Sequence, residues 1–401
     1  MAEFKNNYPT VMIHGLASWG AGDELDKIFH YWGFSMTRDL ISYLRRKGYE
    51  VYNPSTGPFN SAWDRACEMY AQIVGGTVDY GKVHSEKYGH ARYGRTYKKG
   101  LIEDWGKGGD HQKINIIGHS FGGPTVIAFA NLMAEGCQEE IDGTPADELS
   151  PLFEGGHADM VHTVTTLAGV NNGTTLASFF TPKGMGRIET ALLSLACVVS
   201  ESGSSQYFDF MVDHWGMQPK PEDMSAEPVL HKPSEFKDQK ERFKANRVDN
   251  IGYEMQIEVW QEICKKYIGI SDKIYYFARI SLFSKENAKG KHITPSNKNA
   301  MCYACSFITG GYTNDKLRNE YGVDETWFPN DGFVNVKGQM GPFHLPSAEW
   351  AGVNNAKPGV WYNMTPEYRN HLSWAGISIP KKQFYAEYKQ MIDMFRTLPD
   401  G

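Results

Sequence analysis

The stretch Lys113-Ile114-Asn115-Ile116-Ile117-Gly118-His119-Ser120-Phe121-Gly122-Gly123 decides the fold. Lys113–Ile117 is a buried, β-branched strand, and a helical run follows the glycines through Ala134. Between them, Gly118-x-Ser120-x-Gly122 has the spacing of a nucleophile elbow, a strained strand-to-helix turn that lifts a serine hydroxyl clear of a sheet. Glycines flank the serine because a Cβ at either place would strike neighbouring strands. A plain glycine turn after a central strand is the alternative reading, and the strand running in and the helix running out argue against it.

Outward from this turn, strands and helices alternate. Thr10–Ile13 reads as a short buried strand that turns at His14-Gly15. A helix is expected over Met36–Lys47, stopped by Gly48, then a strand at Tyr49–Tyr52 and a helix over Asn60–Val74. Gly75–Gly109 shows no clean period and reads as an insertion. Val161–Leu167 is another strand, Tyr253–Tyr267 a helix and Lys273–Ala278 a strand. This order predicts an α/β fold, a mostly parallel sheet with helices on both faces. The chain of 401 residues fits one such domain with insertions.

Composition narrows the function. A net charge of −6 offers no basic stripe for nucleic acid. No apolar run approaches the roughly 20 residues that span a bilayer. Six cysteines are too scattered for a disulfide scaffold, and Cys302-x-x-Cys305 has no second pair to make a zinc knuckle. The first ten residues carry no charged-then-apolar leader.

A serine hydroxyl needs a base and an orienting acid, and fold order places both downstream as Ser, Asp or Glu, then His. Asp331 sits in the turn Asn330-Asp331-Gly332, and His371 lies near the C-terminus before the final helix. His344 is the rival base, although Gly341-Pro342 precedes it and no strand leads into its loop. Two backbone N–H groups should hold an oxyanion. Phe121, after the nucleophile, and Leu16, after the first strand, are the candidates, with His14 structural.

These residues and several longer blocks resemble the zinc-containing thermoalkalophilic bacterial lipases, family I.5 of the true lipases, within the α/β-hydrolase superfamily. The blocks include His14-Gly15 with Trp19-Gly20, Trp63-Asp64-Arg65-Ala66-Cys67-Glu68, and Gly75-Gly76-Thr77-Val78-Asp79-Tyr80-Gly81. Gly89-His90-Ala91-Arg92, Ser150–His157 and Asn330-Asp331-Gly332 complete them. The family often has alanine where this chain has Gly118. The resemblance implies an α/β-hydrolase fold with Ser120, Asp331 and His371 as triad, settling His371 over His344, and with Leu16 and Phe121 as oxyanion donors.

It also implies a structural zinc on Asp64, His84, His90 and Asp249, the last placed by the family's Asp-x-x-x-Tyr pattern at Asp249 to Tyr253. Asp213, before Trp215, matches a different family aspartate. No calcium is expected beside the base, because Ser373 and Ser378 stand where the family has acidic ligands. Residues 58–110 would form the zinc-binding insertion and residues 172–250 a lid. In the lid, Ile188, Leu192, Leu195 and Val199 share a helical face after the breakers Pro182, Gly184 and Gly186. The implied protein is a mature secreted ester hydrolase acting on lipid or polyester at an apolar interface. The alternatives are a cytoplasmic location, an acyltransferase, and a catalytically silent lipid-binding relative.

Overall fold

The computed structural model describes residues 3–180, 209–215 and 248–400. Its scaffold runs through β1 (Thr10–Ile13), α1 (Glu24–Ile28), α2 (Leu40–Arg46), β2 (Val51–Tyr52), α3 (Ala62–Val74), β3 (Gly76–Asp79), α4 (Lys82–Tyr88), β4 (Tyr93–Tyr97), β5 (Ile114–His119), α5 (Gly122–Glu135), β6 (Val161–Leu167) and β7 (Tyr275–Arg279). Two further strands, Ser347–Glu349 and Trp361–Asn363, and the final helix Lys381–Thr397 complete it.

Seven strands pair in parallel in the order Ser347–Glu349, Trp361–Asn363, β7, β6, β5, β1, β2. Side chains alternate between two cores. Val11 and Ile13 of β1, with Ile114 and Ile116 of β5, join α3 and α5 on one face. Met12 and Ile117 join α2 and the final helix on the other. Such a period-2 split between two helical layers makes a sheet buried on both sides, so its strands read as continuous apolar runs.

The strand order reverses between β1 and β5. The chain moves outward from β1 to β2, returns to β5 beside β1, then proceeds through β6 and β7 in the other direction. Loops leaving neighbouring strands at such a reversal diverge and open a crevice at the carboxyl ends. Ile13 pairs with Gly118, which sets His14-Gly15 opposite His119-Ser120.

Three expected helices shift. The helix placed at Met36 begins at Leu40, because the Asp39 side chain accepts from Ser42 N–H at 2.9 Å and caps it there. The helix placed at Asn60 begins at Ala62, capped by Ser61. The helix expected over Tyr253–Tyr267 is two, Ile251–Glu254 and Ile257–Tyr267. Gln256 between them is extended, which leaves the Met255 carbonyl to accept from Thr174 N–H and brings Ile257 N–H to Ser178 Oγ.

The aperiodic insertion is ordered: β3 and β4 form an antiparallel pair with α4 between them. Among the described residues, no helix is long and apolar enough to cross a membrane. The Ile188–Val199 face and its preceding breakers lie outside the described residues.

Candidate active site

Ser120 caps β5 at φ +58°, the left-handed region that non-glycine residues seldom enter. The turn leaves no space at its glycines. A Cβ on Gly118 would lie 2.0 Å from the Gly122 carbonyl oxygen, and one on Gly122 would lie 2.5 Å from that of Ile13. Gly118→Ala should therefore destabilise the protein by about 3 kcal/mol, the upper range for overpacking. A chemical denaturation series would read this directly, and an unchanged midpoint would show that the turn can relax.

Asp331 and His371 meet at the carboxyl edge of the sheet. Asp331 is fully buried, and its Oδ1 accepts from Phe333 N–H at 3.0 Å and Val334 N–H at 2.9 Å. Its Oδ2 faces His371 Nδ1 at 2.8 Å. The pairing assigns the proton to Nδ1 and leaves Nε2 as the basic nitrogen. His371 N–H also donates to the Asp331 carbonyl at 3.1 Å, so backbone and side chain both hold the pair. Gly332 is at φ +113°, and a Cβ there would press on Cys302 at 2.5 Å. His344, the rival, instead donates from Nε2 to the Ile268 carbonyl at 2.8 Å.

Of the oxyanion candidates, Leu16 lies between two committed amides. Gly15 N–H donates to Tyr31 Oη at 3.2 Å and Ala17 N–H to the Pro58 carbonyl at 3.0 Å. Neither Leu16 N–H nor Phe121 N–H takes a protein partner among the described residues. His14 is occupied on both nitrogens: Nε2 accepts from Thr56 N–H at 3.1 Å and Nδ1 donates to the Gly15 carbonyl at 3.0 Å. Burial, aided by Arg65, pulls its pKa down to about 3, so it stays neutral and structural.

Arg65 also belongs to the site. Fully buried, it reaches from α3 to Thr125 Oγ1, the Gly57 carbonyl and the His14 carbonyl, fastening the loop after β1. Only its place beside Asp64 in a long motif hinted at it. Cys302 and Cys305 are free thiols on the helix Ala300–Thr309, one buried and one half-buried.

A second centre lies in the insertion. One ligand atom each from Asp64, His84, His90 and Asp249 falls within 4.8 Å of all the others. His84 Nε2 stands 3.3 Å from both Asp64 Oδ1 and Asp249 Oδ2, and His90 Nε2 stands 3.4 Å from Asp249 Oδ2. These four atoms are buried, and each lacks a hydrogen-bond partner. Direct hydrogen bonds would be nearer 2.7–2.9 Å for charged pairs. A tetrahedron whose corners lie ~2.0–2.1 Å from its centre has edges of about 3.3–3.4 Å. Three of the six separations match such edges, as ligands gathered around one four-coordinate metal would give.

The surrounding residues aim the ligands. His90 Nδ1 donates to the Ala91 carbonyl at 2.9 Å, leaving Nε2 its lone pair. The His84 ring stacks on Trp63, and Asp64 Oδ2 accepts from His214 Nε2 at 3.1 Å. Asp213, next to His214, is not in the cluster; it pairs with Arg95. His214 carried no sequence signal, because its role depends on a contact made across 150 residues.

A family model described as "Lipase-like, C-terminal domain" matches residues 6–398. The chain belongs to this lipase-like family. A lipase of Staphylococcus epidermidis is 30% identical over 380 residues, covering 93% of this chain and 51% of that protein. Lipase 1 of Staphylococcus aureus is 28% identical over 382 residues, with the same two shares. This lipase-like chain thus spans about half the length of those curated relatives. Among solved structures, the Staphylococcus hyicus lipase has a TM-score of 0.82 at 29% identity and covers 98% of this chain and 96% of its own. EstA of Clostridium botulinum has 0.79 at 31%, covering 100% and 90%. The lipase-like family and the parallel sheet agree with the fold expected from the elbow.

Proposed function

We propose that this protein is a serine carboxylic-ester hydrolase, with Ser120 as nucleophile, His371 as general base and Asp331 as the acid that orients it. The observation that carries the reading is Ser120 at φ +58°, at the sheet's strand-order reversal and next to His119, whose ring lies 4.9 Å from that of His371, itself paired with buried Asp331. His371 Nε2 takes the proton as Ser120 Oγ attacks the ester carbonyl, and Leu16 and Phe121 N–H groups receive the oxyanion. The C–O bond to the alcohol breaks as His371 returns the proton to the departing oxygen. Water, deprotonated by His371, then cleaves the acyl-Ser120 ester. A fluorophosphonate probe should label the protein once, at Ser120. A protein that takes no label would support the silent lipid-binding alternative, and preferential acyl transfer to added alcohol would support an acyltransferase.

Zinc is the metal proposed for Asp64, His84, His90 and Asp249. Two imidazoles and two carboxylates close a tetrahedral shell with no position for substrate, so it would supply cross-linking and no chemistry.

The substrates proposed are esters with apolar flanks, including lipids and polyesters. Leu16 exposes 37% of its surface beside the oxyanion loop, and the Phe333 ring packs 5.2 Å from the His371 ring. Apolar walls of this kind bind acyl chains through buried area. Assays with one enzyme batch on a soluble short-chain ester, emulsified triglyceride and polyester film should show hydrolysis of all three. Charged residues at Leu192 and Leu195 should cost film and emulsion activity alone. If all three activities fall together, those residues are core and the lid proposal is wrong.

A further inference from the structure

Three separate turns converge on the candidate site: the loop after β1, the elbow after β5, and the turn that begins at His371. A buried chain of hydrogen bonds links them. Gly15 N–H donates to Tyr31 Oη at 3.2 Å. That oxygen is also bonded to His119 Nδ1, and His119 Nε2 lies 3.1 Å from the His371 carbonyl oxygen. A carbonyl can only accept, so His119 carries its proton on Nε2. Nδ1 must then accept, and the tyrosine proton points at it. Every donor in the line has one acceptor, and the direction is uniquely determined.

Both linking side chains are enclosed, Tyr31 at 3% and His119 at 1% exposure. Burial, with His371 beside it, holds His119 well below the usual imidazole range, and burial pushes Tyr31 up to about 12. Neither should change charge across the working range of an ester hydrolase. Neutrality at His119 matters because its ring centroid is 4.9 Å from that of His371. A fixed cation there would oppose the imidazolium that His371 becomes during catalysis.

We propose that Tyr31 and His119 are positioning residues, which hold the oxyanion loop, the nucleophile elbow and the base at fixed spacing through this hydrogen-bond line. This rests on the reading of Ser120, His371 and Leu16 given above. His119 is the residue before Ser120, and its Nε2–H grips the main chain of the base. Any drift between nucleophile and base must break that bond. Tyr31 extends the same constraint to Gly15, one residue before the oxyanion candidate Leu16. Reactions between held groups are steep in distance: a misplacement near 1 Å can cost about 100-fold in rate.

Amide side chains can test the line one bond at a time. Glutamine places its Nε2 close to where histidine has Nε2, so His119→Gln retains the donor to His371. Asparagine places its Oδ1 near histidine Nδ1, so His119→Asn retains the acceptor for Tyr31 and drops the base. Tyr31→Phe removes one oxygen and leaves the ring. Kinetics should be read per active site titrated to completion with the fluorophosphonate, well below each variant's melting temperature. We expect Tyr31→Phe and His119→Asn to lose about 10- to 100-fold in kcat with KM within about threefold. His119→Gln, which frees Tyr31 but keeps the bond to His371, should match Tyr31→Phe at the mild end of that range and stay above His119→Asn.

Equal kcat for His119→Gln and His119→Asn, or wild-type kcat in Tyr31→Phe, would overturn the proposal, because simple packing does not distinguish the two amides by which bond they keep. If His119→Asn fails to fold, Tyr31→Phe still decides. A wild-type protein that takes no probe would instead overturn the hydrolase reading itself. Labelled, active wild type with unaffected variants would overturn only the positioning role.

Discussion

Ser120→Ala should leave a folded protein whose ester hydrolysis is lower on the order of a millionfold, since a triad acts as a unit and fails as one. The substitution removes one oxygen from a half-buried side chain and keeps the Cβ that already tolerates φ +58°. Its melting temperature should stay within a few degrees of wild type. His371→Ala should fall almost as far. Asp331→Asn, which keeps the shape but upsets the tautomer of His371, should lose on the order of 10⁴-fold. His344→Ala should retain most activity, because its Nε2 is engaged by the Ile268 carbonyl. Substantial turnover in clean Ser120→Ala would mean another nucleophile. Loss in His344→Ala with retention in His371→Ala would mean another base.

Removal of metal should produce the largest change in stability. Purified protein should hold about one zinc per chain. Stripped of it, Asp64 Oδ1, His84 Nε2, His90 Nε2 and Asp249 Oδ2 have no other hydrogen-bond partner. A buried polar atom left bare costs about 1–3 kcal/mol, so four together cost several, a large share of the ~5–15 kcal/mol that holds a typical domain. The melting temperature should drop on the order of 10 °C. His84→Ala should reproduce much of that drop and lower the bound zinc. Probe labelling of Ser120 at low temperature should survive, because no proposed step of ester cleavage passes through these residues. Metal-free protein that melts at the same temperature would sink the assignment. Added calcium should change little, as Ser373 and Ser378 offer no carboxylate.

The parallel sheet and the elbow were legible because their signals are local. An apolar strand, two glycines and a helix lie in one short stretch around Ser120, and β6 was placed to the residue at Val161–Leu167. The start of α2 was misjudged where a short capping signal, Asp39 with Ser42 N–H, outweighed the apolar period. The insertion was opaque for a different reason. Its elements are four to seven residues long and broken by Gly75, Gly76, Gly81 and Gly89, all at positive φ. That is too short for a period to emerge. Family resemblance supplied the candidate ligands, since nothing in spacing joins His84 to Asp249. Tyr31 and His214 were invisible as site residues, and Arg65 nearly so, because each matters through contacts formed only when distant segments pack.

The carboxylate of Asp64 has two faces: one oxygen belongs to the ligand cluster and the other accepts from His214. Asp249 reaches the same cluster from the far side of a long intervening stretch. The chain from 214 to 249 is therefore a closed circuit whose two ends are stitched to one point on α3. Closing a loop costs free energy that grows only with the logarithm of its length, about 0.6 kcal/mol for each doubling. On that scaling, residues inserted between 214 and 249 would add little to the cost of closing the circuit. A proteolytic cut between 214 and 249 would leave β7 paired with β6 across the sheet, so the nicked protein should still migrate as one particle, and loss of the metal should show in its melting temperature.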